Sequence, residues 1–87
     1  MSWEDIELDV SNKVAEAMQE RHVSPDEVKM VINSVEKEGG VKLYIPDANR
    51  YLGKNVINGA TFYVDYAIEG DKYIVNSAYA HKAEIQG

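Results

Sequence analysis

Between Val41 and His81 the chain alternates apolar and polar residues in short runs, separated by turn sequences. Alternation at period two is the signature of strands. It predicts strands over residues 41–45, 50–57, 60–69 and 72–81. Pro46-Asp47-Ala48-Asn49, Asn58-Gly59 and Gly70-Asp71 are the turns between them. Asn58-Gly59 is a type I′ signal, because both residues tolerate positive φ. Before Val41 the period changes. Trp3, Ile6, Val10, Val14 and Met18 recur at three- and four-residue spacings, which predicts a helix over 3–21 with Ser2 as its cap. Ser24-Pro25-Asp26-Glu27 reads as a capping box with proline at the first helical position. Val28, Val31, Ile32 and Val35 continue as one stripe, and Gly39-Gly40 stops it, so the second helix is expected over 25–38. His22 lies at the corner between the helices, where the helix dipole favours it. The expected fold is one α+β domain over residues 1–87. A helical hairpin packs on one face of an antiparallel four-stranded meander, in the order ααββββ.

Two-residue turns fix register, and register assigns faces. Counting back from Gly70-Asp71 places Ile68 opposite Tyr73, Tyr66 opposite Val75, Val64 opposite Ser77, Phe62 opposite Tyr79, and Ala60 opposite His81. Phe62, Val64, Tyr66, Ile68, Tyr73, Val75 and Tyr79 then form a bulky face for the helices to cover. Tyr63, Asp65, Ile74, Asn76, Ala78 and Ala80 form the other. Across Asn58-Gly59 the same count adds Leu52, Lys54 and Val56 to the second face, and Tyr51, Asn55 and Ile57 to the first. Asn55 opposite Phe62 is a poor core pair, and Gly53 is a candidate bulge that could correct it. A solvated sheet face is ordinarily rich in Lys, Glu and Thr. Leu52, Val56, Tyr63, Ile74, Ala78 and Ala80 are therefore candidate partner-binding residues. The partner could be another protein, a second copy of the chain forming a homodimer, or the tail 82–87 folded back.

Charge sharpens this division. The net charge is −6. Residues 1–40 hold ten acids and four bases, whereas residues 41–87 hold five of each. The whole imbalance sits on the helical half. Without a basic stripe to release counterions, binding to duplex DNA is disfavoured, as is an anionic membrane surface. No apolar run approaches the ~20 residues of a membrane span, and the acidic N-terminus lacks a signal-peptide pattern. A cytoplasmic location is expected. At 87 residues the chain buries only about 60–65% of its unfolded surface, and with no cysteine it has no disulfide to add. Association with another subunit is one remaining means of support.

Little in the chain reads as chemistry. The two histidines are far apart, no metal-ligand spacing or calcium loop is present, and no phosphate-binding or nucleophile-elbow motif occurs. No cofactor or metal is expected. One constellation could act on RNA: Tyr79 and His81 on the last strand, with His81 as general acid or base and Arg50 holding a phosphate. The competing assignment makes Tyr79 a core residue and His81 the rim of the strand. A second possibility is a small-ligand pocket between helices and sheet, with the hydroxyls of Tyr44, Tyr66, Tyr73 and Tyr79 at its edge.

Arg21-His22-Val23-Ser24-Pro25-Asp26-Glu27-Val28, leading into the second helix, and Ile74-Val75-Asn76-Ser77-Ala78-Tyr79 in the last strand resemble small bacterial toxin-like domains. These are the RelE/BrnT group of ribonuclease toxins and their relatives. The likeness spans about residues 20–80 and rests on short, mostly structural motifs. It implies an RNA target contacted through Arg50 and His81. Those toxins are usually basic, whereas this chain is acidic. The reading preferred from the residues is a non-catalytic interaction or accessory domain that works through the second sheet face, with a diverged ribonuclease and a ligand binder as alternatives.

Overall fold

A computed structural model describes residues 3–82. The proposed Ser2 cap and the tail beyond Lys82 lie outside the described residues. The elements are a 3-10 turn Trp3–Asp5, strand β1 Glu7–Val10, helix α1 Asn12–Glu20, helix α2 Pro25–Lys37, and strands β2 Val41–Ile45, β3 Arg50–Ile57, β4 Ala60–Glu69 and β5 Lys72–Lys82. One five-stranded sheet runs in the order β1-β5-β4-β3-β2. The expected antiparallel meander is β2 to β5, with turns where predicted. Asn58 and Gly59 have φ of 51° and 81°, and Gly70 has φ of 62°.

The expectation of one helix over 3–21 is corrected. Its first part is a 3-10 turn and a strand, and β1 pairs parallel to β5 from Glu7 beside Lys72 to Val10 beside Val75. The sheet is therefore mixed and five-stranded. Ile6, Val10, Val14 and Met18 suit a helical stripe, but Ile6, Leu8 and Val10 also alternate. Leu8 and Val10 pack against the core from the strand. The chain turns helical only at Ser11, whose side-chain oxygen accepts from the Val14 amide at 3.3 Å. That cap satisfies one of the free amides of the first turn.

Both helices end as their residues dictate. At the end of α1 the Val23 amide donates to Met18 O at 2.9 Å and the His22 amide to Gln19 O at 3.1 Å. This is a Schellman ending, with Val23 and Met18 both buried as its hydrophobic contact. His22 holds the left-handed position, φ 59°, that glycine usually takes. The α2 start is the predicted capping box: Ser24 Oγ accepts from the Glu27 amide at 3.2 Å, and the Glu27 carboxylate accepts from the Ser24 amide at 2.9 Å.

The core lies between the helices and one face of the sheet. Val28, Val31, Ile32 and Val35 of α2 and Met18 of α1 meet Phe62, Val64, Tyr66, Val75 and Ala78. Gly53 pairs with Val64 and marks no bulge. It lies beneath α2 instead, where an added Cβ would come within 3.1 Å of Val35 Cγ2 and 3.3 Å of the Tyr66 ring. The Asn58-Gly59 register holds along the whole of β3 and β4, with Asn55 opposite Phe62. No described helix is long and apolar enough to cross a membrane.

Candidate functional site

The register of the last hairpin departs from expectation, and this redraws the second face. Pairing is as predicted from Glu69 beside Lys72 to Tyr66 beside Val75. It then shifts between Asp65 and Tyr66, where Asp65 pairs with Ser77. Asn76 is the extra residue, a β-bulge. Every later residue of β5 changes face. Ala78 pairs with Val64 and Ala80 with Phe62. Ala78 is buried, and Ala80 packs on the core. Neither belongs to the open face on which both were expected. Tyr79 moves the other way, out of the expected core, and stands opposite Tyr63. The end of α1 lies against the shifted stretch. Its C-cap Arg21 donates from Nη1 to Ala78 O at 3.2 Å and to Ser77 Oγ at 3.4 Å. These contacts hold the helix end close to β5, where Ala78 is buried.

Strand pairing places the open face in rows running across the sheet. Val41, Lys54, Tyr63 and Tyr79 form one row. Leu43, Leu52 and Asp65 form the next. Val56 lies beside Thr61 and His81 at one end, and Ile45 beside Arg50 at the other. Val41 is 67% exposed, Leu43 64%, Val56 60% and Tyr79 40%. The Tyr63 and Tyr79 rings stack with centroids 5.1 Å apart, and Lys54 Nζ lies 6.0 Å from the Tyr63 centroid. Arg50 Nε and Asp65 Oδ1 form an ion pair at 3.0 Å. It is out of hydrogen-bond alignment, and neither atom has a hydrogen-bond partner among the described residues. Of the residues expected here, Leu52, Val56, Tyr63 and Ile74 are in place. Val41, Leu43 and Tyr79 join them. The four-residue turn after β2 fixes no register by itself, so the sequence carried no count that could reach Val41 and Leu43.

Arg50, Tyr79 and His81 share this face without meeting. His81 pairs with Thr61, while Arg50 lies one residue beyond the Tyr51–Tyr66 pair. Six residues of strand separate their rows, about 20 Å, and the Arg50 guanidinium is committed to Asp65. The four tyrosines of the ligand-pocket expectation do not converge either. Tyr79 is on the opposite face. Tyr44 donates its hydroxyl to Asn49 Oδ1 at 3.0 Å, and Tyr66 donates to Glu36.

On the helix side Tyr44, Tyr51, Tyr66 and Tyr73 form a row of rings with successive centroids 5.2, 5.8 and 5.8 Å apart. Glu36, near the end of α2, anchors the row. Its carboxylate accepts from Tyr66 and from Lys42 Nζ at 2.8 Å, and Lys42 Nζ sits 4.4 Å over the Tyr51 ring. Burial alone would raise the Glu36 pKa, but the Lys42 and Tyr66 donors outweigh it and hold it below the ordinary value. Burial pushes the Tyr66 hydroxyl far above its ordinary value, and the Glu36 charge adds to that. These polar groups satisfy one another, so the arrangement ties β2 and β4 to α2.

An open groove of about 610 Å³ at the corner between the helices is lined by Val10, Ala15, Met18, Gln19, His22 and Val23. His22 is the one titratable side chain among these described lining residues. Among the described residues, no three His, Asp or Glu side chains gather as a metal site requires. No protein-family model matches the chain, and comparison with curated proteins and with solved structures finds no match. The resemblance to the RelE/BrnT toxins therefore stands on its short motifs alone.

Proposed function

We propose that this chain is a non-catalytic interaction domain, an accessory subunit or self-associating module, whose working surface is the open face of the sheet. The observation that supports the reading is the apolar content of that face. Leu43, Leu52, Val41, Val56 and the stacked Tyr63 and Tyr79 lie uncovered by any described helix, with Lys54 and one internally neutralised ion pair among them. Contiguous apolar surface rimmed by polar groups is what protein partners bind, and tyrosine pairs supply rigid contact area at small entropic cost.

The test is photo-crosslinking in the producing cell. A photoreactive amino acid replaces Tyr79 in one experiment and Glu16, on the exposed surface of α1, in another. Discrete protein adducts from position 79 and none from position 16 are expected. Equal labelling from both positions, or none from either, removes the reading.

A further inference from the structure

We propose that the protein forms a two-fold dimer in which β2 pairs antiparallel with β2 of a second copy, centred on Leu43. The inference rests on the interaction reading above, since the pairing would carry the open face of one copy into that of the other.

The two edges of the sheet are built differently. An edge strand offers unpaired backbone donors and acceptors, and proteins guard such edges with charge. The β1 edge has that guard. Glu7 and Asp9 alternate along it, and Asp9 lies 3.9 Å from Lys72. The β2 edge has none. Its one charged residue, Lys42, is drawn to the helix side by Glu36 and the Tyr51 ring. Val41, Leu43 and Tyr44 are left exposed at the end of the sheet.

Charge selects the same edge for a second copy. All of the −6 net charge belongs to residues 1–40, and residues 41–87 are balanced. Two copies meeting through their helices or through β1 oppose acid to acid. Meeting through β2, they bring together the strands farthest from β1 in the sheet order.

Register follows from the residues. Centred on Leu43, the pairing sets Val41 beside Ile45 of the second copy and Lys42 beside Tyr44 of the second copy, and all five residues of β2 take part. Both are favourable cross-strand combinations, apolar on one face and cation–aromatic on the other. Centred on Lys42, two ammonium groups would oppose each other. Centred on Tyr44, Lys42 would face Pro46, which has no amide to donate. A five-residue edge buries less than the roughly 1,200–2,000 Å² of a standard interface, so the dimer is expected to be weak and concentration-dependent.

The absence of cysteine makes disulfide trapping clean. Directly opposed residues of an antiparallel pair have Cα atoms about 4.5–5.5 Å apart, within disulfide reach. Under mild oxidation Leu43→Cys should give covalent dimer as its main product. Val41→Cys and Ile45→Cys should each stay monomeric, because each faces its own copy across a four-residue offset of about 13 Å. Their equimolar mixture should cross-link. Light scattering of the unmodified protein should show mass rising towards twice the monomer with concentration, and Leu43→Lys should abolish the rise. Leu43 is exposed, so circular dichroism of these variants should match the parent.

Cross-linking through Tyr63→Cys in place of Leu43→Cys would mean a face-to-face dimer. That overturns the edge pairing while keeping the open face as the working surface. Cross-linking of mixed Asp9→Cys and Leu43→Cys would mean a head-to-tail chain and also overturns the two-fold. Monomer at every concentration overturns the dimer, and adducts from position 79 in the cell would then show that the interaction reading survives without it.

Discussion

The two faces of this sheet have similar residues and different fates. One carries Phe62, Val64, Tyr66 and Val75 and disappears beneath α2 and α1. The other carries Leu43, Leu52, Val56, Tyr63 and Tyr79, and no described helix covers it. Apolar content alone does not separate them. The helices find the first face because it was shaped to receive them: Gly53 leaves room for Val35, and the bulge at Asn76 exchanges Tyr79 for Ala78 near the end of α1. A face can thus be hydrophobic without being a core. What makes it a core is local relief that matches a covering element.

The sharpest way to break this comparison is truncation on both sides. Ile32→Ala, at a fully buried position, should cost about 2–5 kcal/mol in a denaturant titration. Leu43→Ala on the open face should change stability by no more than about 0.5 kcal/mol. Equal losses would show that the open face also supports the fold. Next in size is Gly53→Ala, which should cost about 1–3 kcal/mol by crowding Val35 and Tyr66.

The Glu36 cluster should show in the pH dependence. A folded-state pKa held below 4.5 means that Glu36 contributes stability at pH above about 4.5, and that this is lost as pH falls through the folded value. Glu36→Gln should remove that part of the acid limb. Tyr66 is shifted the other way, so its contribution is complete below about pH 10 and declines as pH rises further. Tyr66→Phe should cost about 1–2 kcal/mol near neutrality and flatten the alkaline limb. One substitution should bring a gain. His22→Gly should stabilise by about 0.5–1 kcal/mol, since a residue with a Cβ is held at positive φ there.

Most of the fold was legible where local chemistry and tertiary need agreed. Ser24-Pro25-Asp26-Glu27 specifies a helix start whatever surrounds it. Asn58-Gly59 specifies a turn and a register, and β3 and β4 follow it without interruption. The failures arose where a pattern had two solutions. The stripe from Trp3 to Met18 suits a helix, and only Leu8, which lies off that stripe, hints that Ile6, Leu8 and Val10 alternate as a strand. What favours the strand is β5, more than sixty residues away, and no local window contains it. The bulge failed for a related reason. Asn76-Ser77 puts two polar residues in succession where alternation should bring one, yet the turn at Gly70-Asp71 was intact and the count ran on through it. Four of the six candidate residues therefore lie on the open face as expected, and Ala78, Ala80 and Tyr79 are exchanged between the two sides.

The parallel β1–β5 pair bears on how the chain can fold as it is made. β1 is the first described strand to leave the ribosome, and the strand it pairs with is the last. During synthesis the helical hairpin and the β2–β4 meander can assemble from neighbouring segments, while β1 waits for β5. Contacts of such long sequence separation close late and slowly. A nascent chain that already carries its helices and three strands therefore still has one edge of β4 unpaired and its N-terminal strand unplaced. That interval, rather than the finished domain, is where pairing with the wrong strand has its opportunity.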